Sequence, residues 1–263
     1  MSKQEIIFKD LGRMDYQRAW DYQEILLQQN VSKKKEWSEL KLTSHLIQDS
    51  SITDSFNSHT NVKDNLQSAD GAVQTIHHLI FVEHLPVYTI GKSGNEEHIL
   101  IDDKARTAKG IDYIKTNRGG DITFHGPGQV VGYPILDLEK FDTDIGKYLR
   151  NLEQVIILTM AAYGLKGERS TGETGVWMDA MVKGRERKIC ALGVRCSRWI
   201  TMHGFAFNVN TELAYFDNIV PCGIRDKQVT SLQKELGKTI DIDEVKEILK
   251  YNFEKVFDSV LVL

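Results

Sequence analysis

Residues 118–138 read Arg-Gly-Gly-Asp-Ile-Thr-Phe-His-Gly-Pro-Gly-Gln-Val-Val-Gly-Tyr-Pro-Ile-Leu-Asp-Leu, and they hold five of the 20 glycines and two of the four prolines of the chain. Glycine is used where the backbone needs a positive φ or where another group must come close to it. An arginine, an aspartate, a histidine and a glutamine accompany these glycines, between short apolar runs that are typical of strands. We expect a cradle in which backbone N–H groups and Arg118 surround a polar substrate. The alternative is a glycine-rich hairpin in a β-rich core.

Composition places the chain among globular proteins. Its 263 residues, of which 41% are hydrophobic and 27% charged, are enough for one large domain with a full core. The net charge of −4 argues against bulk binding of nucleic acid, which needs a basic surface. No apolar run is long enough to span a membrane, and the first residues lack the apolar region of a signal peptide. The sequence predicts a soluble, cytoplasmic protein with neither a nucleic-acid nor a membrane partner.

The distribution of apolar residues predicts an α+β domain with a mixed sheet, because strands come in clusters and helices are few. Helices are predicted over residues 15–29, 145–163 and 241–257 from their apolar periodicity and caps. Strands are predicted at 78–83, 111–117, 122–124, 129–136, 174–178, 188–194 and 203–209. Pro134 indicates an edge strand or a bulge, since proline cannot donate a ladder hydrogen bond.

The segment 32–71 differs from the rest of the chain. Ser, Asn, Asp, Lys and Gln dominate it, and its apolar residues are too sparse for a strong period. We interpret it as an exposed polar insertion in a single domain that spans residues 1–263. It is expected to carry at most a short helix around residues 37–46.

The three cysteines show no CxxC spacing, which disfavours both a disulfide framework and a cysteine-rich zinc site. Cys222 stands between Pro221 and Gly223, where a sharp turn would present its sulfur, and it is a candidate nucleophile. The alternative is a small buried hydrophobic residue, as most free cysteines are. Cys190 and Cys196 fit that alternative better, because they fall within or at the end of a strand pattern.

Lys188 is the charged residue that opens the apolar run 188–193. A lysine withdrawn from water has a lowered pKa and can exchange protons near neutrality, and beside a thiol it stabilises the thiolate. The alternative is a solvated lysine at the end of a basic run. His125 and His203 each precede a glycine and are candidates for hydrogen bonding at a cleft or for structural roles. The eight histidines show no metal-ligand spacing, so no metal site is predicted.

Four motifs in one order resemble those of the lipoyl(octanoyl) transferases. They are the glycine-rich residues 118–129, Lys-Ile-Cys-Ala-Leu-Gly at 188–193, His-Gly-Phe-Ala-Phe-Asn-Val-Asn at 203–210, and Pro-Cys-Gly at 221–223. The resemblance extends from about residue 8 to about residue 237, outside the polar segment. It implies a fold similar to the catalytic domain of biotin and lipoate protein ligases.

The resemblance also implies a two-step acyl transfer. Cys222 would take octanoyl from octanoyl-acyl carrier protein as a thioester, with Lys188 as acid and base, and a lysine of a lipoyl domain would then receive it as an amide. The implied acceptors are the lipoyl domains of 2-oxoacid dehydrogenase E2 subunits and the glycine cleavage H protein. Neither ATP nor a metal or organic cofactor is implied, because the thioester arrives activated. The implied substrate-binding residues are Arg118, Gly119, Gly120, Asp121, Ile122, Thr123, Phe124, His125, Ala191, Leu192, Gly193, Gly204, Phe205 and Ala206.

Two positions depart from the resemblance, and three other functions remain open. Phe124 stands where many relatives have tyrosine, and Ala191 stands where some have serine. An ATP-dependent lipoate or biotin ligase would share the fold and need no nucleophilic cysteine. A relay amidotransferase would move octanoyl between lipoyl domains by the same cysteine chemistry. A non-catalytic module that binds lipoyl domains is disfavoured by the intact pair of Cys222 and Lys188.

Overall fold

The computed structural model describes residues 3–49, 74–220 and 227–263. The strands within these ranges are β1 (Gln4–Met14), β2 (His77–His84), β3 (Val87–Ile90), β4 (Asp112–Lys115), β5 (Ile122–His125), β6 (Gln129–Ile135), β7 (Val176–Met178), β8 (Arg187–Ser197), β9 (Ile200–Asn208), β10 (Gln228–Val229) and β11 (Ser259–Val262). The α-helices are α1 (Tyr16–Asp49), α2 (Asp103–Ala108), α3 (Ile145–Ala162), α4 (Leu232–Leu236) and α5 (Ile242–Phe257). Short 3₁₀ helices lie at Glu96–His98, Leu138–Lys140 and Leu213–Asn218.

The strands form a large sheet and a small sheet. The large sheet has the order β10-β8-β9-β6-β2-β1-β11, and β7 also pairs with β8. Its central pairs, β2–β6, β6–β9 and β8–β9, are antiparallel, whereas β1 is parallel to both β2 and β11 and β10 is parallel to β8. The small sheet has the order β4-β3-β5, with one parallel and one antiparallel pair. The prediction of an α+β domain with a mixed sheet is confirmed.

Helices cover both faces of the large sheet. Strand β9 is buried along its whole length because its side chains contact different helices on its two faces. Phe205 belongs to a core cluster with Leu152 of α3 and Phe253 of α5, whereas Ala206 belongs to a second cluster with Leu27 of α1. Full burial of such large apolar side chains contributes roughly 1.5–3 kcal/mol each. The sheet is therefore held between α1 on one face and α3 with α5 on the other.

The helix boundaries at α3 and α5 follow from the capping residues that the sequence indicated. The Asp144 carboxylate accepts a hydrogen bond from the Lys147 N–H, and the Asp241 carboxylate accepts from the Asp243 N–H. Each cap satisfies an N–H group that the first turn of a helix otherwise leaves without a partner. The predicted apolar stripe of α3 is buried, with Leu152 among the residues fully enclosed. Both helix predictions are confirmed.

The interpretation of residues 32–71 as an insertion with at most a short helix is wrong for its first part, because α1 continues without a break to Asp49. Polar contacts replace the missing apolar stripe. The Lys34 ammonium donates to the buried Asp137 carboxylate at 2.9 Å, and the Asn30 side chain bonds both backbone groups of Ile76. Residues 50–71 lie outside the described residues. Although α1 is long, none of the described helices is both long and apolar enough to cross a lipid bilayer.

The expectation that Pro134 marks an edge strand or a bulge is also wrong, because β6 is a central strand between β9 and β2. The proline is tolerated because the pairing of β6 with β9 ends at Gly132 and Phe205, before the proline nitrogen would have to donate. On the other side, Pro134 pairs with Leu79. Its carbonyl oxygen accepts a hydrogen bond from the Thr201 hydroxyl at 2.8 Å, so the strand continues past the missing donor.

Candidate active site

A narrow cleft lies between the small sheet and strands β8 and β9 of the large sheet. Its enclosed volume is about 50 Å³, or about 470 Å³ when the space that is open to solvent is included. The cleft is lined by Tyr16, Arg118, Gly120, Asp121, Ile122, Thr123, His125, Val131, Tyr133, Ala191, Leu192, Gly193, His203, Gly204, Phe205 and Ala206. All the substrate-binding residues that the resemblance implied are therefore brought together here except Gly119 and Phe124.

Gly119 and Phe124 belong to the supporting structure around the cleft. The Gly119 N–H donates to the Val194 carbonyl oxygen at 3.0 Å, which ties the glycine-rich loop to β8. The Phe124 ring is buried on the far side of β5, stacked on Tyr215 with 4.5 Å between ring centroids. Neither residue lines the cleft, so the exchange of tyrosine for phenylalanine at position 124 does not remove a hydroxyl from its wall.

Arg118 holds the glycine-rich loop against the small sheet. Its guanidinium is buried and donates from Nη2 to the Thr89 carbonyl oxygen at 2.7 Å and to the Thr89 hydroxyl oxygen at 2.9 Å. From Nη1 it also donates to the Gly119 carbonyl oxygen at 3.0 Å. Gly91 makes room for this arrangement, because a Cβ there would lie 2.2 Å from the Gly120 carbonyl oxygen. Arg118 and the glycine-rich segment therefore line the cleft together, and their contact with a polar substrate stays a prediction.

His125 continues a hydrogen-bonded chain from Arg118. Because the Thr89 hydroxyl accepts from Arg118, it donates its own proton to His125 Nε2 at 3.2 Å. His125 Nδ1 then donates to Gln129 Oε1 at 2.8 Å, and the Gln129 amide nitrogen donates to Asn208 Oδ1 at 2.9 Å. Burial holds the pKa of His125 well below its ordinary value. His125 is therefore a neutral histidine with both ring nitrogens bonded, and it orders the cleft wall.

Tyr133 and His84 form a second buried pair. His84 Nδ1 donates to the Met14 carbonyl oxygen at 3.0 Å, so its Nε2 is able to accept from the Tyr133 hydroxyl at 2.7 Å. Burial lowers the pKa of His84 to about 4 and raises the pKa of Tyr133 well above its ordinary value. Tyr133 and Tyr16 line the cleft but were not predicted to do so. The sequence feature that could have indicated Tyr133 as a cleft residue is its position between Gly132 and Pro134 in a predicted strand.

Glycines let the strands that form the cleft floor approach other backbone segments. A Cβ at Gly204 would lie 2.1 Å from the Gly132 carbonyl oxygen and 2.7 Å from Pro134 Cδ. A Cβ at Gly193 would lie 2.9 Å from the Gly119 carbonyl oxygen. Backbone atoms and a ring in a central strand cannot move aside as a flexible side chain does. These positions therefore need glycine for packing.

We expect Gly204→Ala to lower the thermal unfolding midpoint, measured by circular dichroism. Overpacking a core costs about 1–3 kcal/mol, which corresponds to a fall of roughly 2–5 °C in a chain of this size. Gly119→Ala is the matched control, because Gly119 is exposed and a Cβ there would meet its nearest neighbour, the Val194 carbonyl oxygen, at 3.4 Å, an ordinary contact distance. The control should leave the midpoint close to that of the wild-type protein. Equal midpoints for the two variants would contradict the steric argument.

Lys188 lies at the start of β8, beside the cleft. It is half-buried, and its Nζ lies 4.5 Å from the centroid of the Trp177 ring. An ammonium over an indole is stabilised by the ring quadrupole. Lys188 lines a small cavity, with an enclosed volume of about 20 Å³, that shares Thr123, Ala191 and Ala206 with the cleft. The structure therefore places the predicted acid–base residue next to the cleft.

The neighbouring basic residue Arg187 is engaged in ion pairs. Its guanidinium donates to the Glu235 carboxylate at 2.7 Å and to the Asp179 carboxylate at 2.6 Å. These two partners are the main reasons why the pKa of Arg187 is raised above its ordinary value. Glu235 also accepts from the Thr230 hydroxyl at 2.6 Å, so Arg187 helps to fix the chain segment beside Lys188.

The two described cysteines are poor nucleophiles. Cys190 is fully buried in the core, its thiol donates to the Ala191 carbonyl oxygen, and burial raises the pKa of that thiol well above its ordinary value. Burial also raises the pKa of the half-buried Cys196 thiol. A thiol must ionise to attack, so both pKa shifts oppose reaction. The interpretation of both as structural residues agrees with these surroundings.

Cys222 is in the segment 221–226, which lies outside the described residues, so its role stays a prediction. The described residues on either side of that segment, Val220 and Lys227, line one groove. Phe216 and Val229 line this groove and also the small cavity that contains Lys188. The chain therefore enters and leaves the segment with Cys222 beside the cavity of Lys188. Within the described residues, no group of three His, Cys, Asp or Glu side chains is placed to hold a metal ion.

Comparison with known sequences gives close, full-length matches. Residues 58–254 match the family described as the lipoyl protein ligase A/B catalytic domain. The octanoyltransferase of Christiangramia forsetii is 49% identical over 258 residues, which cover 98% of this chain and 97% of the relative. The octanoyltransferase of Flavobacterium johnsoniae is 49% identical over 259 residues, which cover 98% of this chain and 99% of the relative.

Comparison with solved structures identifies the fold. A bi-partite lipoate protein ligase from Thermoplasma acidophilum aligns with a TM-score of 0.61 at 16% identity, over 99% of this chain and 88% of that one. Lipoate-protein ligase A bound with ATP aligns with a TM-score of 0.58 at 15% identity, over 100% of this chain and 90% of that one. At this identity the likeness concerns the fold alone. The predicted similarity to the catalytic domain of lipoate protein ligases is confirmed.

Proposed function

The chain belongs to the lipoyl protein ligase A/B catalytic family and, within it, to the octanoyltransferases, and we propose that it carries octanoyl from an acyl carrier protein to a lipoyl domain through a thioester on Cys222. It is an acyltransferase of lipoate biosynthesis. The acceptors in this proposal are the lipoyl domains of 2-oxoacid dehydrogenase E2 subunits and of the glycine cleavage H protein. The domain assignment that goes with it is a single catalytic unit over residues 1–263.

In the first step, the Cys222 thiol passes its proton to Lys188 Nζ and the thiolate adds to the thioester carbonyl carbon of the donor. The bond from that carbon to the carrier sulfur then breaks, and the departing thiolate takes the proton from Lys188. In the second step, the acceptor lysine amine adds to the Cys222 thioester, the carbon–sulfur bond to Cys222 breaks, and the amine proton passes by way of Lys188 to the cysteine. The thioester intermediate divides one difficult transfer into two easier ones.

The observation that carries the proposal is the position of Lys188. Lys188 lines a cavity that shares wall residues with the cleft. The Thr230 N–H donates to the Lys188 carbonyl oxygen at 2.9 Å, which fixes the chain that follows residue 226 beside Lys188. Val220, two residues before Cys222, is fixed at the same groove by a hydrogen bond from its N–H to the His98 carbonyl oxygen at 2.8 Å. The groove that holds Val220 shares Phe216 and Val229 with the cavity that Lys188 lines, which supports a common substrate carbonyl for Lys188 and Cys222.

The titratable groups in the described wall of the cleft are hydrogen-bonded or have pKa values far from neutrality, which favours Lys188 as the acid and base. Asp121 accepts from His98 Nδ1 and from the Asn95 N–H. Burial keeps His125 and His203 neutral by lowering their pKa values, and it raises the pKa of Tyr16 to about 12. A group whose pKa lies far from neutrality is a poor proton carrier at the operating pH. Exposed N–H groups of the glycine-rich loop are the proposed donors to the oxyanion of each tetrahedral intermediate.

The test is transfer without ATP. We expect the purified full-length protein, mixed with octanoyl-acyl carrier protein and an isolated lipoyl domain, to give an octanoyl-amide on the domain lysine, detected by mass spectrometry. Free octanoate with ATP and magnesium should give no product. The alternative that the shared fold favours, an ATP-dependent lipoate ligase, requires the opposite result.

The same assay distinguishes the proposed transfer from the relay reaction when the octanoyl donor is changed. Octanoyl-lipoyl domain is supplied in place of the carrier thioester, with a second, unmodified lipoyl domain as acceptor. The proposal requires faster transfer from the carrier protein than from the octanoyl-lipoyl domain. A reversed preference would assign the chain to the relay reaction.

A further inference from the structure

The end of the cleft that is far from Lys188 is closed by polar and aromatic side chains. Gly119 is tied to Val194 there, and Val194 pairs across the sheet with His203. The His203 imidazole is only 1% exposed and has the Trp20 ring at 6.0 Å and the Tyr133 ring at 6.3 Å between centroids. His203 therefore forms part of the end wall of the cleft.

One ring nitrogen of His203 has no hydrogen-bond partner among the described residues. Nε2 donates to Asn117 Oδ1 at 2.8 Å, so the proton of the neutral ring is on Nε2 and Nδ1 presents a lone pair. Nδ1 is buried and without a partner in the part of the chain that the structure describes. Burial, together with the nearby guanidinium groups of Arg118 and Arg195, lowers the pKa of His203 to about 3, so Nδ1 stays unprotonated. A buried acceptor of this kind is costly unless a ligand supplies the donor.

The backbone of His203 is also strained. Its φ is +57°, in the left-handed region that residues other than glycine rarely adopt, although it lies within strand β9. The His203 N–H donates to the Oε1 atom of the buried Gln23 side chain at 2.9 Å, and this bond helps to hold the conformation. Strained residues that the surroundings hold in place cluster at binding sites. The ring is therefore directed by its backbone as well as by Asn117.

The distance along the sheet matches the length of an octanoyl chain. Ala191 pairs with Ala206 where the cleft meets the cavity of Lys188, and Val194 pairs with His203 at the closed end. These two rungs are three residues apart, or roughly 10 Å at ~3.3 Å per residue. An extended octanoyl group measures roughly 9 Å from its carbonyl carbon to its methyl carbon, given C–C bonds of ~1.5 Å. With the thioester at the first rung, the end of the chain comes next to His203.

We propose that His203 Nδ1 accepts a hydrogen bond from a donor at the far end of the acyl chain, so that the protein transfers medium-chain acyl groups with a terminal hydroxyl as well as octanoyl. This inference rests on the proposed function, since it concerns the acyl group of the same reaction. The 8-hydroxyoctanoyl group has the right length, and its hydroxyl supplies the donor for which Nδ1 is placed. A longer acyl chain would have to displace the end wall.

The test compares donors in wild-type protein, so it does not depend on a variant that folds. Carrier protein is loaded with octanoyl, 8-hydroxyoctanoyl or 3-hydroxyoctanoyl, and kcat/KM for transfer to a lipoyl domain is measured for each. The 3-hydroxy isomer is the matched control, because it carries the same hydroxyl at a position that does not reach His203 and does not cyclise onto the thioester. We expect kcat/KM for the 8-hydroxy donor to exceed that for the 3-hydroxy donor by about tenfold, the effect of one buried hydrogen bond.

A variant then assigns the effect to its residue. In His203→Phe, which keeps a ring but removes the acceptor, the ratio of the two hydroxy donors should fall to near one. Octanoyl transfer with no preference between the hydroxy isomers in wild-type protein would overturn the inference and leave the proposed function standing. Absence of transfer from every carrier thioester would overturn the proposed function, and this inference with it.

Discussion

Replacing Cys222 by serine should lower kcat/KM for octanoyl transfer by at least about 10³-fold, as removal of a nucleophile does in other acyl-transfer enzymes. A thiol ionises far more readily than a serine hydroxyl, and it forms a thioester that an amine can attack. An oxygen ester on the introduced serine would form slowly and would react slowly with the acceptor lysine. The loss therefore affects both steps of the reaction.

The direct measurement is intact-mass spectrometry of the protein after it is mixed with octanoyl-acyl carrier protein and no acceptor. The wild-type protein should gain the mass of one octanoyl group, and hydroxylamine should remove it. Cys222→Ser should show no adduct. Cys196→Ser is the matched control, because Cys196 is the half-buried cysteine at the other end of β8 from Lys188, and this variant should keep the adduct. An adduct that survives in Cys222→Ser but is lost in Cys196→Ser or Cys190→Ser would contradict the assignment.

Local patterns were sufficient to predict most of the elements that build the site. The apolar stripe of α3 and its cap at Asp144 are set by residues that are close in sequence, so the pattern determines the helix by itself. The apolar residues of 129–136 and the alternation along 203–209 similarly predicted strands, and both form buried strands, β6 and β9. Motif resemblance then placed Arg118 and Ala191 at one cleft, although they are far apart in sequence, and the structure brings both to its wall.

Features that depend on distant partners could not be predicted in this way. The second half of α1 lacks an apolar stripe, and its anchor is the contact of Lys34 with Asp137, which only the folded chain creates. The tolerance of Pro134 in a central strand depends on where β9 stops pairing. His203 was predicted as a hydrogen-bonding residue at a cleft or a structural residue, but its partners Asn117 and Gln23 are remote in sequence and could not be predicted.

Lys188→Met should lower kcat/KM for octanoyl transfer by about 10²–10⁴-fold, the usual contribution of a positioned acid–base group. Methionine keeps the length and the apolar stem of the side chain but removes the ammonium that lies 4.5 Å from the Trp177 ring centroid. Lys227→Met is a matched control, because the Lys227 ammonium lies 4.7 Å from the same ring and is paired with Glu173. Lys227→Met should lower kcat/KM far less, since Lys227 is paired with a carboxylate and does not line the cavity that Lys188 lines. An equal fall in kcat/KM in the two variants would contradict an acid–base role for Lys188 and would assign the effect to the loss of a positive charge beside the Trp177 ring.

The readout that separates acid–base chemistry from support of the fold is the reactivity of the Cys222 thiol. In a Cys196→Ser background, with Cys190 buried in the core, alkylation by iodoacetamide reports on Cys222. If Lys188 stabilises the thiolate, Lys188→Met should slow alkylation at pH 7 by about tenfold and move its pH profile to higher pH, because a lost cationic partner raises a thiol pKa. Lys188→Arg should keep the alkylation profile close to that of wild type but fail in transfer, because a guanidinium supplies charge and cannot release its proton. An unshifted profile in Lys188→Met would remove Lys188 from the chemistry and leave it a structural residue of β8.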